Sequence, residues 1–181
     1  MLNVTLPLSK DIIRQLHAGD EVLLTGTVYT ARDQAHKRLH ECLAAKEPLP
    51  FELEGQLIYY VGPTPSRPEA VIGAAGPTTS SRMDAFTPEL LEKGLAGTIG
   101  KGYRSQEVID SLQKNTAVHF SAYGGAGALL GQCIKSCEVI AYDDLGTEAI
   151  RKIYVESFPA VVAYDCYGQN VYPEPYFGEP Q

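Results

Sequence analysis

The sequence contains no tryptophan, only four cysteines and no uninterrupted apolar run long enough to cross a bilayer as a helix, which takes about 20 residues. Its opening residues, "MLNVTLPLSKDIIRQL", lack a basic start, a continuous apolar stretch and a small-residue cleavage site, so no secretory leader is expected there. Cys42, Cys133, Cys137 and Cys166 form no C-x-x-C pair. A chain of 181 residues can bury a core without disulfide staples. A reducing, cytoplasmic setting is therefore expected. Positive charge is scarce as well: 15 lysines and arginines face 22 acids, a formal charge of −7. Neither nucleic acid nor an anionic membrane is drawn to such a surface, so neither is expected as a partner. A local cationic pocket remains compatible with that total.

What is present points to one α/β domain with a mixed, partly parallel sheet, because strand-like and helix-like stretches alternate. "EVLLTGTVYT" (21–30) reads as a strand, and "ARDQAHKRLHECLAAK" (31–46) as a helix with Ala35, Leu39, Cys42 and Leu43 on one stripe. "QLIYYVG" (56–62) and "AVIGAAG" (70–76) read as strands separated by the turn-forming "PTPSRP". "TPELLEKG" (87–94) is a helix with Thr87 as N-cap and Gly94 as its stop. The glycine-rich "LAGTIGKG" (95–102) is a strand, "SQEVIDSLQKN" (105–115) a helix capped by Ser105, and "AVHFSAY" (117–123) a strand. "ALLGQCIKSC" (128–137) and "TEAIRKIYVES" (147–157) read as helices flanking the strand "EVIAYDD" (138–144), and "AVVAYDC" (160–166) closes the series. The last fifteen residues are rich in proline and glycine and are expected to form an extended surface tail.

Three strand ends carry a cation beside small residues. "GPTTSSRM" (76–83) sets Thr78, Thr79, Ser80 and Ser81 before Arg82. Hydroxyls and backbone N–H groups in such a turn can hold an oxyanion, and a guanidinium can clamp a carboxylate with two parallel bonds. The bland alternative is a polar cap for the next helix with Arg82 solvated. "TARDQAHKR" (30–38) places Arg32 and Asp33 at a strand-to-helix junction with His36 in the first helical turn. An arginine near a helix N-terminus opposes the macrodipole, so an anion nearby would explain it. Asp33 is one such anion, as an N-cap with a surface pair. "IGKGYRS" (99–105) puts Lys101 between glycines that let backbone approach a ligand, or else forms a turn that merely contains lysine. Together the three junctions suggest a pocket for a small dianion such as a dicarboxylate.

Other motifs are weaker. "AYGGAGALLG" (122–131), followed by Asp143 and Asp144, mimics a dinucleotide-binding unit, but Leu130 stands where the third glycine belongs. A tight, closely packed turn is the alternative. Cys133 and Cys137 lie four apart in a stretch read as helical, yet no further ligand follows at metal spacing, so buried thiols are expected. His17, His36, His40 and His119 form no ligand motif.

"GDEVLLTGTVYTARDQAHKRL", "YYVGPTP", "GPTTSSRMD", "GKGYRS" and "GGAGALL", in this order, resemble the iron–sulfur (class I) fumarate hydratases and the related L(+)-tartrate dehydratase. The G-P-T-T-S-x-R-M element is the specific part. The resemblance covers residues 10–173 and points to the beta subunit of the two-chain enzymes, equivalent to the C-terminal domain of the single-chain ones. It implies a swivelling β/β/α domain over residues 1–173 with a tail at 174–181. It further implies a hydro-lyase of C4 dicarboxylates, active as a hetero-oligomer with an alpha subunit that carries the [4Fe–4S] cluster. No metal is then expected on this chain. Carried over position by position, Arg32, Arg82 and Lys101 would bind substrate carboxylates and Thr78 would move the carbon-bound proton. Asp33, His36 and Thr79 would support them. Arg104 and Ser105 in "GYRS" match the fumarase type more than the tartrate type, which favours fumarate; no role is read for Tyr103. Tartrate or another hydroxydicarboxylate is the first alternative, and a dinucleotide-binding module built on "GGAGAL" the second.

Overall fold

The computed structural model describes residues 1–63, 73, 75–123 and 127–172. Strand β1 (Leu2–Thr5) and the short helix α1 (Lys10–Arg14) lead into β2 (Glu21–Thr30). Burial alternates along β2, with Val22, Leu24, Val28 and Thr30 inside, the period of a pleated strand. Helix α2 (Asp33–Ala44) buries Ala35, His36 and Leu39 along one stripe. Strand β3 (Leu57–Tyr59) is buried on both faces, as a central parallel strand must be. A 3₁₀ turn (Ser80–Met83), helix α3 (Thr87–Glu92) and strand β4 (Gly97–Gly100) follow. Helix α4 (Gln106–Asn115) starts where the Ser105 hydroxyl accepts the Val108 N–H at 3.3 Å, the cap its sequence predicts. Strand β5 (Val118–Ala122), helix α5 (Gly127–Gln132), strand β6 (Ile134–Ala141), a second 3₁₀ segment (Asp143–Glu148) and strand β7 (Ile150–Tyr164) complete the described chain.

The seven strands form one mixed sheet in the order β1-β2-β3-β4-β5-β7-β6. The first five run parallel to one another, while β7 is antiparallel to β2, β5 and β6. Because β7 pairs with both β5 and β2, strands β2, β3, β4, β5 and β7 close into a ring. One apolar cluster gathers Leu24, Leu57, Tyr59, Phe120 and Phe158. The other joins Ile58 and Tyr60 to Leu39, Leu90, Leu91, Val108 and Leu112 of α2, α3 and α4. Each such side chain removed from water stabilises the fold by about 1.5–3 kcal/mol.

Four expectations are corrected. The stretch 128–137 is helical only to Gln132, and Cys137 stands on β6 rather than on a helical face with Cys133. The stretch 147–157 is not a helix: from Ile150 it belongs to β7, which runs fifteen residues. Its three-residue spacing from Val155 to Phe158 imitates a helix, but it is a β-bulge against β2, with Ser157 at φ 50° and its N–H on the Thr25 hydroxyl at 3.0 Å. Thr87 is the first residue of α3 and not its cap; its hydroxyl donates to the Met83 carbonyl at 2.9 Å. Finally, the beginning of the tail is docked, since Asn170 bridges Tyr164 and the Tyr172 ring packs on Tyr103 at 4.2 Å. Most of the strand expected at 70–76, the turn at 124–126 and the tail from 173 onward lie outside the described residues.

Candidate active site

Strands β2, β3 and β4 are parallel neighbours, so their C-terminal ends share one edge of the sheet. That edge is where open α/β architectures bind ligands. The loops carrying Arg32 and Lys101 begin there. The Ala31 N–H bonds the Tyr59 carbonyl at 3.1 Å, and the Tyr60 N–H bonds the Ile99 carbonyl at 2.8 Å, carrying the ladder past the strand ends. The hydroxyl-rich loop is stitched into the same ladder. Thr78 N–H donates to the Tyr60 carbonyl at 2.7 Å, Lys101 N–H to the Thr78 carbonyl at 3.3 Å, and Ser80 N–H to the Lys101 carbonyl at 2.8 Å. Thr79 and Lys101 thereby form an isolated parallel bridge. Gly100 permits the approach: a Cβ there would collide with the Ser80 hydroxyl and, at 2.7 Å, with the Tyr60 ring.

Arg82 is carried out by the 3₁₀ turn, whose Met83 is fully buried, and its guanidinium pairs with Asp33 at the start of α2. Asp33 is therefore the first residue of the helix rather than its cap; Arg32 holds the cap position, with no side-chain capping bond. The anion that offsets a cation at this helix start serves Arg82. Arg32 lies across Gly62, where an added Cβ would stand 3.0 Å from its Cδ and Nη1. Lys101 is exposed. Two guanidinium groups and an ammonium thus share an edge at which Asp33 supplies an opposing carboxylate, a cationic patch on an acidic chain.

Three polar atoms in the first turn of α2 are buried without a hydrogen-bond partner among the described residues: Arg32 Nε, Asp33 Oδ1 and His36 Nε2. The His36 Nδ1 lies 2.8 Å from the Arg32 carbonyl, which can only accept, so Nδ1 carries the proton and Nε2 a lone pair. Burial of the whole ring pushes the His36 pKa down from 6.5 to about 4. The unfolded chain then binds a proton that the folded one refuses between about pH 6.5 and 4, so stability falls as pH falls through that window. His36 alone contributes a loss of about 3 kcal/mol by the lower end, at 1.36 kcal/mol per pH unit. Urea unfolding of wild type and His36→Gln from pH 7 to pH 4 checks this: the variant should lose less over the window, and equal slopes would assign the acid sensitivity elsewhere.

Sequence reasoning missed the layer beneath the site. Arg104, read as an indicator of substrate choice, points inward with a fully buried side chain. It meets Asp84, Tyr60, Thr87, Thr98 and His119. An arginine cannot be told from an outward-facing one by type; the only hint was His119 between apolar neighbours in "AVHFSAY". The dinucleotide reading loses its scaffold. β5 and β6 are separated by β7, α5 has six residues, and Asp144 is engaged by Arg38, with one contact at 2.8 Å. Among the described residues no three His, Cys, Asp or Glu side chains converge as metal ligands. Burial also pushes the Cys133, Cys137 and Cys166 thiols up, away from the thiolate a cluster requires.

Residues 1–174 match the family model described as Fumarase C-terminus. The chain is 35% identical over 173 residues to the "Putative L(+)-tartrate dehydratase subunit beta" of Methanocaldococcus jannaschii, covering 92% of this chain and 89% of that protein. It is 38% identical over 169 residues to "Fumarate hydratase class I, anaerobic" of Escherichia coli, covering 90% of this chain and 31% of that one. With "Fumarate hydratase 2" of Leishmania major it shares 36% identity over 162 residues, 88% of this chain and 28% of that protein. The chain thus spans about a third of the length of these fumarate hydratases and nearly all of the tartrate dehydratase subunit.

Proposed function

The chain belongs to the Fumarase C-terminus family, and from that premise we propose that it is the beta subunit of a two-chain hydro-lyase that reversibly adds water to fumarate. The observation that carries the proposal is the ladder that ties Thr78 and Lys101 together at the sheet edge where β2 delivers Arg32, with Arg82 paired to Asp33 beside Arg32. Arg32 and Arg82 are suited to hold the two carboxylates of a C4 diacid, with Lys101 as a point charge between them. Asp33 holds Arg82 extended before substrate arrives. In hydration Thr78 gives its hydroxyl proton to one alkene carbon while the oxygen of water, as hydroxide, bonds to the other. The proton that water sheds restores the Thr78 hydroxyl, and dehydration runs the same transfers in reverse. A threonine hydroxyl is too weak an acid to do this unaided; nearby cations would stabilise its alkoxide once the partner subunit covers this exposed edge and excludes water. The partner's [4Fe–4S] cluster, when bound, supplies Lewis acidity toward the substrate hydroxyl.

L(+)-tartrate is the second reading, favoured because the relative matched over nearly its full length carries that name. Arg104 no longer argues for fumarate by touching substrate, since its side chain is buried.

The test is reconstitution. The chain, treated anaerobically with iron and sulfide, should bind no stoichiometric cluster, and with its partner it should dehydrate malate faster than tartrate. A [4Fe–4S] cluster with an EPR signal on this chain alone would overturn the subunit assignment, and faster tartrate turnover the substrate.

A further inference from the structure

Arg104 sits at the origin of two hydrogen-bond chains. A guanidinium only donates. Its Nη1 donates to Thr98 Oγ1 at 3.2 Å, and Thr98 Oγ1 lies 2.6 Å from His119 Nδ1. The clamp requires Nδ1 as the acceptor and the ring proton on Nε2, facing the Ser80 hydroxyl at 3.3 Å. In the second chain Nη1 donates to Tyr60 Oη at 3.0 Å, so the Tyr60 proton goes to Thr87 Oγ1, also 3.0 Å away. Thr87 additionally accepts from Nη2 at 2.7 Å and passes its own proton to the Met83 carbonyl. The chains end on Ser80 and Met83, the first and last residues of the 3₁₀ turn that carries Arg82. Arg104 Nε meets Asp84, the next residue, at 2.8 Å, and the second oxygen of Asp84 accepts the Ser105 N–H.

We propose that Arg104 is a positioning residue: it clamps both ends of the Ser80–Met83 turn and so fixes where Arg82 stands relative to Thr78 and Lys101. The inference rests on the proposed dicarboxylate pocket for its kinetic consequence, though not for the clamp itself. Complete burial and the adjacent guanidinium hold the His119 pKa well below 6.5, consistent with a neutral ring. A protonated Nδ1 would have to face Arg104 Nη1 at 3.4 Å.

The experiment has two arms. In the isolated chain, ¹⁵N–¹H correlation spectra of the imidazole should show His119 neutral with its proton on Nε2. A proton on Nδ1 would overturn the clamp whatever the enzyme does. In the reconstituted pair, Arg104→Lys keeps the charge but not the planar fork. It should raise KM for malate about tenfold, the effect of loosening one charge-assisted contact, with kcat within a few-fold of wild type. His119→Gln, whose amide can replace the Nε2 donor, should stay near wild type, and His119→Phe should raise KM. A purely structural role would lower kcat with the folded fraction and leave KM alone, and that outcome would also overturn the proposal. Where Arg104→Lys fails to fold, the His119 pair and the tautomer decide. A wild-type pair without hydro-lyase activity would refute the dicarboxylate reading and the kinetic role that rests on it. The clamp would then be judged by the tautomer, and by whether Arg104→Lys speeds amide exchange selectively at Ser80 and Asp84.

Discussion

Replacing Thr78 with valine should reduce kcat by about 10²–10⁴, the usual cost of losing a positioned acid–base group. Valine nearly matches threonine in shape, and the two ladder bonds of Thr78 run through its main chain to Tyr60 and Lys101. The loop should therefore survive the change, and KM should move little while Arg32, Arg82 and Lys101 still hold the carboxylates. Thr79→Val is the internal control. Thr79 makes no side-chain cap of its 3₁₀ turn, and its loss should be far milder. The measurement is malate dehydration by the reconstituted pair, with exchange of the carbon-bound hydrogen into deuterated water as a second readout. An active Thr78→Val enzyme that still exchanges that hydrogen would remove Thr78 from the chemistry and move the base to the partner chain.

Arg82→Lys should lower kcat/KM about 10- to 100-fold although the charge is kept, because lysine cannot reproduce a two-pronged contact with a carboxylate. One charge-assisted hydrogen bond of roughly 1.5–3 kcal/mol sets that range. Arg32→Ala should lose at least as much. Its Nε is buried without a partner among the described residues and its stem lies against Gly62, so truncation removes both a donor and its packing. Lost binding in both directions distinguishes these variants from Thr78→Val, since KM should rise in place of an isolated fall in kcat. If both arginine variants keep wild-type kinetics, the three loops are not the substrate clamp.

Arg32 and Lys101 were legible in the chain because they follow the ends of β2 and β4, and strand ends are readable from periodicity. The strand expected before the Arg82 loop lies mostly outside the described residues. β2, α2, α4 and β5 lie close to where alternation, the apolar stripe and the Ser105 cap place them. β7 was not legible in this way. Its buried residues Ile150, Ile153, Val155 and Phe158 are spaced three, two and three apart. The Val155–Phe158 step is a bulge that exists only through pairing with β2. Ile134 and Cys137 were likewise drawn out of a helix by the partner strand, because a ladder to β7 satisfies backbone groups that local preference alone would have coiled.

By itself the sequence determined the single α/β domain, the acidic balance with its local cations, and membership of the Fumarase C-terminus family over residues 1–174. Tertiary structure decided which cations could meet. Arg32 and Lys101 are far apart in the chain but follow β2 and β4, which end at one edge with β3 between them. The bonds of Thr78 and Ser80 to Tyr60 and Lys101 bring the loop carrying Arg82 to the same edge. It also decided that Arg104, three residues past Lys101, turns inward. The hydroxyls of Tyr60, Thr87 and Thr98 and the Asp84 carboxylate, drawn from three separate stretches, offer a buried guanidinium the acceptors it needs. A charge goes inside only where such partners are assembled, and that assembly is a property of the fold and of no local stretch of residues.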